Sequence, residues 1–142
     1  MKKLLVLLTM LFTLASATVC FASDGSDLNK QQKAATTFID AFDGEPVPAY
    51  TAVSPLLSAK LNETLGEKGY DALQKAVKEK FGNLKEAKFF TFQRFDQADR
   101  VIYLASFSKE KSVVMIFQFD KQNKLTDFAF NANKPAENQE KK

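Results

Sequence analysis

Histidine is missing from this 142-residue chain, and cysteine occurs once, as Cys20. Without histidine, the usual general base near neutral pH and the commonest zinc ligand are gone. A Ser-His-Asp triad cannot be built. Beyond Cys20 there is no thiolate nucleophile, no Cys-rich metal site and no disulfide. An excess of one charge is also lacking: 20 basic residues stand against 17 acidic ones. No basic block is interleaved with aromatics, which excludes nucleic acid as an expected partner. What remains is carboxylate, lysine or tyrosine chemistry, or no chemistry, and neither a cofactor nor a metal is expected.

The N-terminus has the order of a Sec-type signal peptide. Lys2 and Lys3 are followed by the apolar run Leu4 to Leu14, and then by Ala15, Ser16, Ala17 and Thr18. A basic start stays in the cytoplasm, an apolar core enters the translocon, and small side chains fit the peptidase. Cys20-Phe21-Ala22 predicts cleavage between Ala22 and Ser23; Ala15-Ser16-Ala17 is a second site of the same form. A spanning helix needs about 20 mostly apolar residues, roughly twice the length of this core, so no stable membrane anchor is expected after cleavage. Lipidation at Cys20 is disfavoured, because Val19 precedes it where a small residue is needed. The chain therefore reads as residues 1–22 signal peptide, 23–133 one domain, and 134–142 a disordered polar tail, placed in the periplasm or outside the cell.

The mature part, close to neutral once Lys2 and Lys3 are gone, is one domain's worth of chain. It is long enough for a core without disulfides. Phenylalanine supplies that core: there are 14, and only Phe12 and Phe21 lie in the leader. Leu28, Gln32, Ala35, Phe38, Ile39 and Phe42 recur at three- and four-residue spacing, which predicts a helix capped near Ser26 and Asp27 and stopped at Gly44. Glu45-Pro46-Val47-Pro48 cannot continue it. Tyr50 to Val53 predicts a short helical turn. Ser54-Pro55 reads as N-cap and first helical position for a helix carrying Leu56, Leu57 and Leu61. Thr64 and Glu67 have capping-box spacing ahead of Leu73, Ala76, Val77 and Phe81, and Gly82-Asn83 stops that helix.

From Leu84 the period changes to two. Strands are predicted at Lys85–Asp96, Arg100–Ser108, Ser112–Asp120 and Lys124–Asn131, with connections too short for crossovers, hence an antiparallel meander. One feature departs from a sheet with a wet face. Val101, Tyr103, Ala105 and Phe107 share one side of the second strand, yet Ile102 and Leu104 lie on the other. The third strand repeats this, with Val113, Met115, Phe117 and Phe119 against Val114 and Ile116. Sheets with one solvated face alternate apolar with polar. Both faces here call for cover: helices on one, and on the other a partner subunit, a ligand or more of the chain. A homodimer through the outer face is the expectation.

The order of these elements resembles a known group. A helix ending Phe38-Ile39-Asp40-Ala41-Phe42 precedes Tyr50-Thr51-Ala52-Val53-Ser54 and Leu61-Asn62-Glu63-Thr64-Leu65. A helix closing at Phe81-Gly82 then leads into a meander ending Phe117-Gln118-Phe119-Asp120-Lys121-Gln122-Asn123-Lys124-Leu125. From about Asn29 to Phe130 the chain resembles small exported bacterial domains of the nuclear-transport-factor-2-like, or cystatin-like, superfamily. That resemblance implies an α+β fold shaped as a cone, with N-terminal helices packed on a curved four-stranded antiparallel meander sheet. It also implies a pocket at the open end and dimerisation through the outer sheet face. Superfamily members include both enzymes and non-catalytic binders, and fold does not choose between them.

The residues singled out for a ligand are Tyr50 and Tyr103, as hydroxyl donors, and Arg94 with Asp96, as a polar pair at a pocket mouth on one strand face with Phe90 and Phe92. Against these stand an amphipathic wall for each tyrosine and a solvated strand end for the charged pair. Lys75, Lys78 and Lys80 read as a wet helix face, and Asp127 as solvent-facing. The functional expectation is an exported, non-enzymatic domain binding a small apolar ligand or an envelope protein. The alternative is an isomerase- or lyase-type enzyme using Asp and Tyr, marked by a buried carboxylate of raised pKa beside a tyrosine hydroxyl.

Overall fold

A computed structural model describes residues 25–43 and 46–133. The expected leader with its cleavage site at Ala22 and Ser23, the expected helix stop at Gly44, and the tail from Lys134 lie outside the described residues. The architecture is α+β: helices come first, and a four-stranded antiparallel sheet follows in the order β1-β2-β3-β4, open rather than closed. Helix α1 spans residues 25–39 and tightens into a 3-10 turn at Asp40–Phe42. A short α2 (Tyr50–Val53), a 3-10 turn (Ser54–Leu56) and α3 (Ala59–Phe81) complete the helical part. The strands are β1 (Leu84–Arg94), β2 (Asp99–Phe107), β3 (Val113–Phe119) and β4 (Leu125–Ala132).

Three local expectations are corrected. Ser54-Pro55 does not launch the long helix. The chain turns extended at Leu57, whose neighbour Ser58 donates its N–H to the Leu125 carbonyl at 2.8 Å, and Ser58 caps α3 by accepting from Leu61 N–H at 3.2 Å. The Thr64–Glu67 capping box does not form either: Thr64 Oγ1 bonds back to the Lys60 carbonyl at 2.8 Å. Instead α3 breaks at Gly66, where φ is 59° and ψ 176°, a conformation that a side chain would strain. On α1 it is Gln31 that is fully buried, while Gln32 is half-buried.

The strand registers place two sets of residues on opposite faces. Inward rows run Phe92–Val101–Phe117–Phe128, Phe89–Tyr103–Met115–Phe130 and Ala87–Ala105–Val113–Ala132. Phe38 of α1 sits among them, its ring centroid 6.0 Å from Phe117, 5.0 Å from Phe128 and 6.4 Å from Tyr70 of α3. Val101, Met115, Phe117 and Phe119 are fully buried, so the helices cover this face completely along β3. At the end of α3, Gly82 has φ 85°, and a Cβ there would run into Ser108 Oγ. Only glycine lets the helix stop this close to the β2–β3 connection.

Candidate functional site

The β1–β2 hairpin end carries a polar cluster that sequence reasoning missed. Asp99, which opens β2, is 1% exposed. Its Oδ1 accepts from Arg94 Nε at 3.1 Å and Lys121 Nζ at 3.0 Å; its Oδ2 accepts from Arg94 Nη2 at 3.0 Å and Gln31 Nε2 at 2.9 Å. The ring extends outward. Arg94 Nη2 reaches Asp27 at 3.2 Å, Asn123 Nδ2 donates to Asp27 Oδ1 at 3.0 Å, and Gln31 Nε2 also donates to Asn123 Oδ1 at 2.8 Å. Asn123 holds its place in the β3–β4 turn with φ 62°. The start of α1, the end of β1 and the β3–β4 turn are thereby tied to one carboxylate.

The chemistry of this cluster follows from its electrostatics. Burial pushes the Asp99 pKa up, but hydrogen bonds from Arg94, Gln31 and Lys121, with the Arg94 charge, more than offset this and hold it at about 2. Its donation to Asp99 raises the Arg94 pKa in turn, against desolvation. An acid that is ionised at every physiological pH, with both oxygens engaged, neither gives nor takes a proton. The cluster is a clasp. Gln31 Oε1 is buried there without a hydrogen-bond partner among the described residues.

The four residues expected to form a ligand site do not share a site. Arg94 pairs with Asp99 and Asp27, whereas Asp96 is exposed in the hairpin turn. The expected alternation fails because Phe90 is an extra residue at a bulge: Phe89 faces Tyr103, and the next paired residue, Thr91, faces Ile102. Phe90 is consequently 61% exposed, while Phe92 and Arg94 fall on the inner side. Tyr50 belongs to the α2–α3 corner, its hydroxyl donating to both oxygens of Asn62, whose Nδ2 in turn donates to Ser54 Oγ at 2.9 Å. Tyr103 is buried mid-sheet between the rings of Phe89 and Phe117, at 5.9 and 6.1 Å. Lys75, Lys78, Lys80 and Asp127 are exposed, as their phases indicate.

Several surfaces remain open among the described residues, including a cleft lined by Ala41, Phe42, Val47, Gln74 and Val77. The outward rows are Lys88–Leu104–Val114–Asn131, Thr91–Ile102–Ile116–Ala129 and Gln93–Arg100–Gln118–Asp127. Their centre is an apolar patch with Leu104 40% exposed and Phe90 beside it, and the helices lie on the other face. A cleft between α1 and β1 is lined by Thr36, Asp40, Asp43, Glu86 and Tyr103; partial desolvation and the Asp43 charge raise the Asp40 pKa. An apolar groove runs between α3 and β4. Among the described residues no cluster of three or more acidic, His or Cys side chains is placed to hold a metal ion. No described helix is long and apolar enough to cross a membrane. In comparisons with known proteins, no family model, no curated protein and no solved structure matches this chain.

Proposed function

We propose that this is an exported, non-catalytic binding domain of the cone-shaped, nuclear-transport-factor-2-like kind, whose outer sheet face receives an apolar partner. The observation that carries the reading is the patch of Ile102, Leu104, Val114, Ile116 and Ala129, which no described helix covers. An apolar sheet centre rimmed by polar residues is the form of an interaction surface. The inner face supports the same reading from the other side, because phenylalanine rings fill the space where a ligand chamber would lie.

A second copy of the chain fits the patch better than a small molecule does. Arg100, Gln118 and Asp127 form one row across β2, β3 and β4. A two-fold axis running along β3 sets Arg100 over Asp127 of the partner subunit, and Ile116 over its own copy. Sheet-on-sheet packing with nearly aligned strands allows this arrangement. The catalytic alternative retains one favourable observation, the raised Asp40 sharing a cleft with Tyr103, although Asp40 is exposed.

Native mass spectrometry and sedimentation on the exported chain test the reading. A dimer that Leu104→Lys or Ile116→Lys converts to folded monomer is the expected result. A strictly monomeric, passenger-free species at high concentration would sink it. A co-purifying small molecule displaced by Asp40→Asn would put the enzymatic reading in its place.

A further inference from the structure

The two edges of the sheet are defended very differently. The free edge of β1 carries Lys85, Glu86 and Lys88 and two irregularities of register, at Leu84/Glu86 and Phe89/Thr91. Charges and bulges of this kind block the addition of a further strand. On β4 the Leu57–Ser58 segment covers the edge at Leu125. From Asp127 to Ala132 no other backbone hydrogen bond reaches that edge among the described residues, and of its amides Phe128 N–H is engaged locally, donating to the Asp127 carboxylate at 2.9 Å, a side-chain contact that an incoming strand would displace. This stretch has one charged residue, no proline, and a register shift only at its beginning, between Gln118 and Phe119.

Beside this less guarded edge lies the α3–β4 groove. Leu73, Ala76, Val77 and Phe81 form its helical wall, and Phe128 and Phe130 form its strand wall. Lys80 stands at the lip, its ammonium 5.2 Å from the Phe81 ring centroid, with Lys78 exposed nearby on the helix. An open strand edge next to an apolar groove offers main-chain hydrogen bonds and side-chain pockets together, the two elements of recognition by strand addition. Lys134 to Lys142 offers no apolar side chain larger than proline to fill the groove.

We propose that the α3–β4 groove binds an extended peptide segment of another protein, which adds to Asp127–Ala132 as a fifth strand, inserts alternate apolar side chains between α3 and β4, and sets an acidic group against Lys80. The groove lies on the helical side of the sheet and is a separate surface from the outer-face patch, although the two share the β4 backbone and Ala129.

The test is an NMR titration of the isotope-labelled chain, as the cell processes it, with a six-residue peptide of alternating valine and threonine ending in glutamate. Saturable shifts are expected at the amides of Asp127–Ala132 and Leu73–Phe81. Methylating alternate peptide nitrogens, which removes main-chain donors, should weaken binding by at least about tenfold. Lys80→Glu, at an exposed position, should weaken it about threefold, and a terminal lysine on the peptide should do the same to the unaltered protein. Equal binding of the methylated peptide overturns strand addition. Shifts confined to Ile102, Leu104 and Ile116, or no saturable shift, overturn the site itself.

Discussion

The inner and outer faces of the sheet are made by alternate residues of the same strands. On β3, Val113, Met115, Phe117 and Phe119 turn inward and are fully buried, while Val114, Ile116 and Gln118 turn outward and are only half-buried. Composition differs far less than environment does: both sets are mostly apolar. What separates them is aromatic content. Inward rows bring phenylalanines of β3 and β4 against Phe38, with edge-to-face geometry such as the 74° between Phe38 and Phe117. The outer rows hold branched aliphatics ringed by Lys88, Arg100, Asp127 and Asn131. Large rings fix a dry, filled core, whereas a small aliphatic patch with a charged rim can meet either water or another surface.

The largest expected effect comes from hollowing the inner face. Phe117→Ala removes a fully buried ring that touches Phe38, Tyr103 and Phe130. It should cost about 3–5 kcal/mol, a large share of the roughly 5–15 kcal/mol available to a domain of this kind. Denaturant unfolding measures it. A loss below about 1 kcal/mol, within the range of ordinary surface changes, would remove the distinction between the faces.

The clasp at the hairpin end sets the next two effects. Asp99→Asn keeps the shape but leaves Arg94 and Lys121 without their shared carboxylate. Because those two cations are partly exposed and can regain water, the cost should be about 2–3 kcal/mol rather than that of a fully buried orphan charge. The pH dependence has a definite sign. Asp99 titrates at about 2 in the folded chain, below its ordinary value of 3.8. Its contribution, about 2 kcal/mol, is therefore complete above the ordinary value and is lost as pH falls from there through about 2. Acid unfolding followed by circular dichroism should show that slope, and Asp99→Asn should flatten it. An unchanged acid slope in the variant would mean that other carboxylates govern it.

Much of the fold was legible because it rests on periodicity. The four strands begin and end within two residues of where alternation placed them, and the meander follows from connections too short for crossovers. The helix starts were less legible. Ser54-Pro55 looks like a cap from its neighbours alone, but Leu57 is taken by Leu125 across the fold. The bulge at Phe90 is equally invisible, since nothing in Phe89-Phe90-Thr91 says which residue is the extra one, and it takes Phe90 off the face that Phe92 and Arg94 share, while Asp96 lies in the turn beyond the strand end at Arg94. The clasp unites positions 27, 31, 94, 99, 121 and 123, whose separations in sequence reach 96 residues. Its one local trace is an Asp99-Arg100 pair opening a strand whose next five residues are apolar or aromatic. The candidate tyrosines lie apart for a different reason: the rings of Tyr50 and Tyr103 are walls of separate regions.

The smallest stability effect should come from the outer face, one residue away from the largest. Ile116→Thr keeps a β-branched side chain, and with it the preference for a strand, while replacing apolar surface by a hydroxyl. In an isolated subunit that side chain is already half in water, so little buried area is lost, and the change should stay within about 1 kcal/mol. Association should respond instead. At the centre of the patch, facing its own copy across the proposed two-fold axis, the same substitution would occur twice in each dimer. Sedimentation across a concentration series should show weaker self-association with an unchanged unfolding midpoint for the monomer. A destabilisation comparable to that of Phe117→Ala would show that more of the chain covers the outer face within a single subunit, and the two faces would then be two halves of one core.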